Sequence, residues 1–163
     1  MEAIRKIRDV IINIQIKLGA IFIAIFLGTI LLQIVARFAK IPVTWSEDVA
    51  KYSFVWAVFM GSAWAVGRNE HFAFTALGDK LTGEKKLIHT IIIHLITMFF
   101  TIAMFKYGID VTVKFWNYNW LNIPEFKMGY VWMSLPITGA TMTLYLVMHV
   151  VENILVLKKG DKK

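Results

Sequence analysis

The stretch Thr44–His71, TWSEDVAKYSFVWAVFMGSAWAVGRNEH, opens on two adjacent carboxylates and closes on basic residues. Its uncharged run, Tyr52–Gly67, measures only about 24 Å as a helix, short of the roughly 30 Å of hydrocarbon in a bilayer. The flanks change that. Pro42 disfavours helix in the residue before it, and Thr44 and Glu47 make the T-x-x-E pattern of a capping box. A helix from Trp45 to Gly67 is about 34 Å long and can cross. Glu47 and Asp48 then occupy its first turn, where the helix dipole favours negative charge by about 0.3–1 kcal/mol. Lys51 stands within helical pairing distance of both.

Outward from this segment the same pattern repeats. Uncharged runs fill Leu18–Ala36, Leu87–Phe105 and Met128–Val151. The chain has 163 residues, 58% of them apolar and 18% charged, against about a quarter charged in a soluble domain. Four helical spans follow, because short runs cannot close a barrel and open sheet edges cannot be satisfied in lipid. The expected fold is an all-α integral membrane protein, a four-transmembrane-helix bundle forming a single membrane domain over 1–163. Its helices are expected over about 18–36, 45–67, 87–106 and 128–151, with an N-terminal amphipathic helical extension over 3–17. In that extension Ile4, Ile7, Ile11, Ile14 and Leu18 recur at three- and four-residue steps, opposite charged residues. It either lies on the membrane surface or prolongs span one. The first apolar run is longer than a signal core, so it is expected to be retained.

The net charge is +7. The basic residues flank apolar runs instead of forming one stripe, which argues against nucleic-acid binding. They set an orientation. Arg5, Lys6, Arg8, Lys17, Arg68, Lys80, Lys85, Lys86, Lys158, Lys159, Lys162 and Lys163 fall on one side. Arg37, Lys40, Lys51, Lys106, Lys114 and Lys127 fall on the other, half as many. The positive-inside rule puts both termini in the cytoplasm.

Within the spans, Ser53, Ala57, Gly61 and Ala65 form a small-residue stripe, as do Ala20, Ala24 and Gly28. Such stripes let helices approach closely, here span on span or span on partner. Trp56 and Trp64 lie off the stripe, available to lipid or a second protein. Pro136 is expected to kink span four. A short interfacial turn is expected over His71–Lys86. A loop is expected over Lys106–Lys127, and it holds Trp116, Tyr118 and Trp120 among other rings. These fit either the aromatic belt of a membrane interface or a docking surface for a periplasmic partner.

Chemistry of its own is hard to find. No carboxylate, Lys or Arg lies inside the four runs, whereas carriers and pumps usually hold an ionisable group or broken helix near mid-membrane. Glu47 and Asp48 diverge by about 100° on a helix and do not face each other as a catalytic pair. There is no cysteine, no phosphate loop and no nucleophile motif. No enzyme activity, cofactor or metal is expected. The main rival is a haem- or quinone-bearing membrane anchor of a redox complex, with His89 and His149 at similar depth on spans three and four as axial ligands.

Taken together, Trp45-Ser46-Glu47-Asp48, Lys51-Tyr52, Phe54-Val55-Trp56, Phe59-Met60-Gly61, Arg68 and His71, with Arg37 closing span one, resemble a known signature. It is that of the small membrane subunit, DctQ type, of the tripartite ATP-independent periplasmic (TRAP) transporters. Asp48 stands where the family commonly has Glu, Lys51 where it has Arg, and Phe72 where it has an aliphatic residue. Lys for Arg loses a bidentate fork. The resemblance implies a scaffold in the bacterial inner membrane that braces a large membrane subunit and helps receive a periplasmic solute-binding protein. The system imports an organic acid, such as a C4-dicarboxylate or sialic acid, on a sodium gradient. Substrate and sodium are expected in other chains. The contact residues it implies are Arg37, Trp45, Glu47, Asp48, Lys51, Trp56, Gly61, Arg68 and His71, with Arg37 pairing Glu47 or Asp48.

Overall fold

The structure, a computed structural model, describes residues 2–69 and 83–160, with side chains over 5–69 and 83–157. Helix α1 runs Glu2–Phe38, α2 Trp45–Gly67, α3 Gly83–Phe115, α4 Gly129–Trp132 and α5 Ser134–Gly160. By length and composition, four helical stretches can cross a membrane: Arg5–Phe38, Trp45–Gly67, Gly83–Phe115 and Gly129–Leu157. Neighbouring spans run antiparallel in chain order. One end of the bundle carries Glu2, Gly67, Gly83 and Gly160, and is called the terminal end. The other carries the 39–44 and 116–128 connections and is called the loop end. Helix α1 packs chiefly on α2, α2 on α5, and α5 on α3.

The N-terminal extension is not a separate element. It is continuous with span one in a single 37-residue helix, because none of Arg5, Lys6, Arg8 and Lys17 breaks a helix. Its packing face also differs from the expected one. Ile7, Ile14 and Leu18 point outward, whereas Ile12, Gln15 and Gly19 are buried. In lipid an apolar stripe gains nothing by turning inward, so the polar groups choose the interior. Gln15 Nε2 donates to Thr141 Oγ1 at 2.8 Å, and the Tyr145 hydroxyl donates to Gln15 Oε1 at 2.6 Å. Around this pair Ile12, Ala63, Val66, Met142 and Leu146 form the main apolar cluster. Toward the terminal end, Arg5 and Arg8 reach Glu152 on α5 at 2.7 and 3.6 Å.

Helix α1 stops in a Schellman arrangement. Lys40 takes a left-handed φ of 55°, its N–H meets Arg37 O, and the N–H of Ile41 meets Ala36 O at 2.9 Å. Pro42 then prevents resumption. Helix α2 begins at Trp45, but the capping box does not form. Thr44 is already helical in φ and ψ and makes no side-chain cap bond, so its hydroxyl is not aimed at the donors of the first turn. The Ser46 hydroxyl instead donates back to Val43 O at 2.6 Å. At the far end Arg68 closes α2, its N–H donating to Trp64 O. Asn69 then turns left-handed at φ 59°, a role asparagine tolerates.

Helix α3 is longer than expected at both ends. Lys106, Asp110 and Lys114 share one exposed side at four-residue steps and leave the helix intact. Span four is one apolar stretch, Gly129–Leu157, interrupted for a single residue between α4 and α5. Met133 keeps helical φ and ψ and its carbonyl accepts the N–H of Ile137 at 3.3 Å, so the interruption sits where Pro136 has no N–H to give to Trp132. Gly139 permits the α3–α5 crossing: a Cβ there would lie 2.7 Å from the backbone nitrogen of Phe105. Thr143 bonds Thr101 across the same crossing at 2.9 Å.

The small-residue stripe serves only in part. Ser53 and Ala57 are buried. On α1 the close approach is made by Gly19, whose added Cβ would meet Met60 at 3.4 Å. Ala20, Ala24 and Gly28 lie exposed, one residue out of register with the face that packs.

Candidate functional site

The signature residues of α2 gather at the loop end, and their surroundings separate the two carboxylates. Glu47 is exposed and pairs with Lys51 one turn on, at 3.4 Å, an arrangement worth a few tenths of a kcal/mol. Asp48 is only 1% exposed. Its Oδ2 accepts the backbone N–H of Asn122 at 2.6 Å. Its Oδ1 has no hydrogen-bond partner among the described residues. The carboxylate thus fastens the 116–128 connection to the first turn of α2.

Arg37 does not pair with either carboxylate. It lines a polar cleft with Gln33, Ala36, Ile41, Val43 and Glu47, yet no ion pair of Arg37 within 4.0 Å exists among the described residues. Asp48 is turned inward to Asn122, and Glu47 meets Lys51 instead.

The connection held by Asp48 has its own order. Asn119 and Lys127 form an antiparallel bridge. The N–H of Trp120 meets Phe126 O at 2.9 Å, and that of Met128 meets Tyr118 O at 2.7 Å. This crosslinking sorts the three expected docking rings. Tyr118 is 61% exposed and Trp116 is partly exposed, packed on Gly129. Trp120 turns inward, its ring 4.5 Å from that of Tyr52 and 5.1 Å from that of Phe126. Leu121, 83% exposed at the tip, carries no ring and so falls outside the aromatic pattern. An apolar residue beside the turn was the available signal.

The remaining signature residues scatter. Trp45 is exposed on the first turn of α2. Trp56 is structural: it stacks on Phe22 at 5.5 Å and donates Nε1–H to Tyr130 O at 3.1 Å. Gly61 has open space where a Cβ would go. Arg68 caps α2 at the terminal end. His71 and most of the expected interfacial turn lie outside the described residues.

The histidines pair differently from the expectation. His149 faces His94, not His89, with stacked rings 5.5 Å apart. His94 Nε2 lies 2.9 Å from Asn69 Oδ1, and His149 Nε2 lies 3.2 Å from the carbonyl of Gly67. A carbonyl only accepts, so His149 donates through Nε2. Stacked rings with Nε2 turned to other partners do not present two nitrogens to one iron between them. Among the described residues no group of three or more His, Cys, Asp or Glu is placed to hold a metal ion.

Four long apolar helices, bridged by the Gln15–Tyr145 and Thr101–Thr143 hydrogen bonds, define a class: a multi-pass helical membrane protein. The sequence matches the family described as tripartite ATP-independent periplasmic transporters, DctQ component, over residues 18–156, and the chain belongs to that family. It is therefore a non-enzymatic membrane component of a TRAP transporter, whose tripartite plan implies other components. Comparison with curated proteins gives no match.

Proposed function

We propose that this chain is the scaffold of a sodium-coupled importer of an organic acid, such as a C4-dicarboxylate, sialic acid or a related carboxylate. It braces the large membrane subunit, which carries solute and sodium, and its loop end helps receive the periplasmic solute-binding protein. In this reading both termini lie in the cytoplasm, the side favoured by the excess of Lys and Arg at the terminal end. Arg37, Trp45, Glu47, Lys51 and Gly61, exposed or facing open space, belong to the contact surface, with Tyr118 and Trp116 on the docking side. Asp48 and Trp56 serve it indirectly, by holding the surface in shape.

One observation carries this reading. Away from the terminal end, where Arg5 and Arg8 meet Glu152, the side-chain pairs that bridge the spans are neutral: Gln15 with Tyr145 and Thr141, and Thr101 with Thr143. Among the described residues Asp48 is the only fully buried carboxylate, and it is engaged by a loop backbone at one end. An ion-coupled carrier needs a charged or broken-helix site that two faces of the membrane can reach in turn. The test is reconstitution: the large subunit and binding protein transport only when this chain is present, and this chain alone binds neither sodium nor solute.

A further inference from the structure

At the loop end a cavity of about 390 Å³ opens between α1, α2 and the 116–131 segment. Its walls are the rings of Phe22, Tyr52, Trp56, Trp120, Phe126 and Tyr130. Ser53 also lines it, but its hydroxyl is spent on Val49 O at 2.6 Å and Ala50 O at 3.1 Å. The volume falls within the range of pockets that take small molecules. The walls offer few polar partners, so the occupant they suit is a hydrocarbon.

Depth decides which hydrocarbon. Trp56 is the midpoint of α2, about 16 Å along the helix from Trp45. Phe22 lies well inside the uncharged run of α1. The cavity therefore reaches from the loop-end interface to about the middle of the membrane, the reach of one acyl chain in one leaflet. A side chain from a water-soluble partner does not extend so far. A charge of the matching sign stands beside the wall: Lys51, outside the lining itself, holds its Nζ 6.0 Å from the centre of the Tyr52 ring. Its pairing with the exposed Glu47 is long at 3.4 Å and leaves donors of the ammonium for a second acceptor.

We propose that this cavity holds one acyl chain of a phospholipid from the loop-end leaflet, with the headgroup phosphate at Lys51. The floor is rigid, because Trp56 is fixed both by its stack on Phe22 and by its bond to Tyr130 O. Burial of each methylene contributes to retention, so a long chain is held more tightly than a short one. The bound lipid completes the face formed by α1, α2 and the 116–131 segment. This proposal does not depend on the scaffold reading and can fail without it.

The test uses the full-length chain, alone and in complex with the large subunit, in mild detergent. Native mass spectrometry counts lipids retained after titration with phosphatidylglycerol. Wild type is expected to keep one phospholipid under conditions that strip the rest. Ile25→Trp, at the lipid-facing rim, and Val49→Phe, on the α2 wall, fill the space and are expected to lower that retention at least tenfold. Ile25 is exposed, so its variant tests the idea even if Val49→Phe fails to fold. Lys51→Gln is expected to remove a preference for phosphatidylglycerol over phosphatidylcholine. A photo-crosslinking residue at Phe126 is expected to capture lipid. Equal retention by wild type and Ile25→Trp overturns the site, as does capture of protein and no lipid at position 126. An unchanged headgroup preference in Lys51→Gln overturns the assignment of the phosphate.

Discussion

Asp48 Oδ2 and the backbone N–H of Asn122 meet at 2.6 Å across 74 residues of sequence. This bond ties the first turn of α2 to the connection between α3 and α4. It explains why one of two adjacent carboxylates is buried while the other, Glu47, stays in the open.

The two carboxylates are therefore expected to behave differently. Asp48→Ala leaves the part-buried backbone N–H of Asn122 without its charged acceptor and is expected to cost about 1.5–3 kcal/mol. Asp48→Asn keeps an acceptor and costs less. Glu47→Gln removes only an exposed pair and changes stability by under about 0.5 kcal/mol. Thermal unfolding in micelles measures all three. Limited proteolysis should cut the 116–128 connection faster in Asp48→Ala alone. Equal losses for Asp48→Ala and Glu47→Gln would contradict the clamp.

The Gln15–Tyr145 pair is expected to act as a unit. Tyr145→Phe and Gln15→Leu each strand the other's polar group, a loss of about 1–3 kcal/mol. The double variant replaces both partners and is expected to lose less than the sum, with a coupling of about 0.5–2 kcal/mol. Strict additivity, measured by unfolding of the four proteins, would mean the hydrogen bond is not formed.

The glycines divide by what surrounds them. Gly139→Ala puts a Cβ 2.7 Å from Phe105 N and is expected to destabilise the chain by about 1–3 kcal/mol through overpacking. Gly28→Ala and Gly61→Ala meet nothing within 4 Å and are not expected to lower stability. If either weakens recovery of the large subunit while the chain itself stays folded, that glycine belongs to the contact between subunits.

Orientation is directly testable, because the chain has no cysteine. Ile41→Cys is expected to react with a membrane-impermeant maleimide in spheroplasts. Lys162→Cys is expected to react only after permeabilisation. The opposite pattern would invert the topology.

These outcomes bear on how much the sequence reveals. The start of α2 is legible at Trp45 because Pro42 disfavours helix just upstream, although the capping box read from Thr44 and Glu47 does not form, and the identity of the family is legible in the order of residues from Trp45 to His71. The lengths of α1 and α3 are not legible from uncharged runs, since Arg8, Lys17, Lys106 and Asp110 are good enough helix residues to carry a helix past the apolar stretch. The packing face of α1 misleads for a physical reason. In water its apolar stripe would face the core, whereas in lipid Gln15 gains more by turning inward than Ile14 does. The partner of Asp48 is invisible locally, because Asn122 offers a backbone N–H that no sequence pattern marks. The same holds for the stacking of His94 on His149, which depends on the relative slide of α3 and α5 set by Gly139.

The account's central claim is that this chain supports transport by its partners and performs none itself. Sodium-dependent uptake of the system's organic acid into proteoliposomes tests it most directly, with this chain alone, with the large subunit and binding protein alone, and with all three. Uptake is expected only with all three. Sodium-dependent uptake by this chain alone, or sodium or solute bound to it in isolation, would contradict the account.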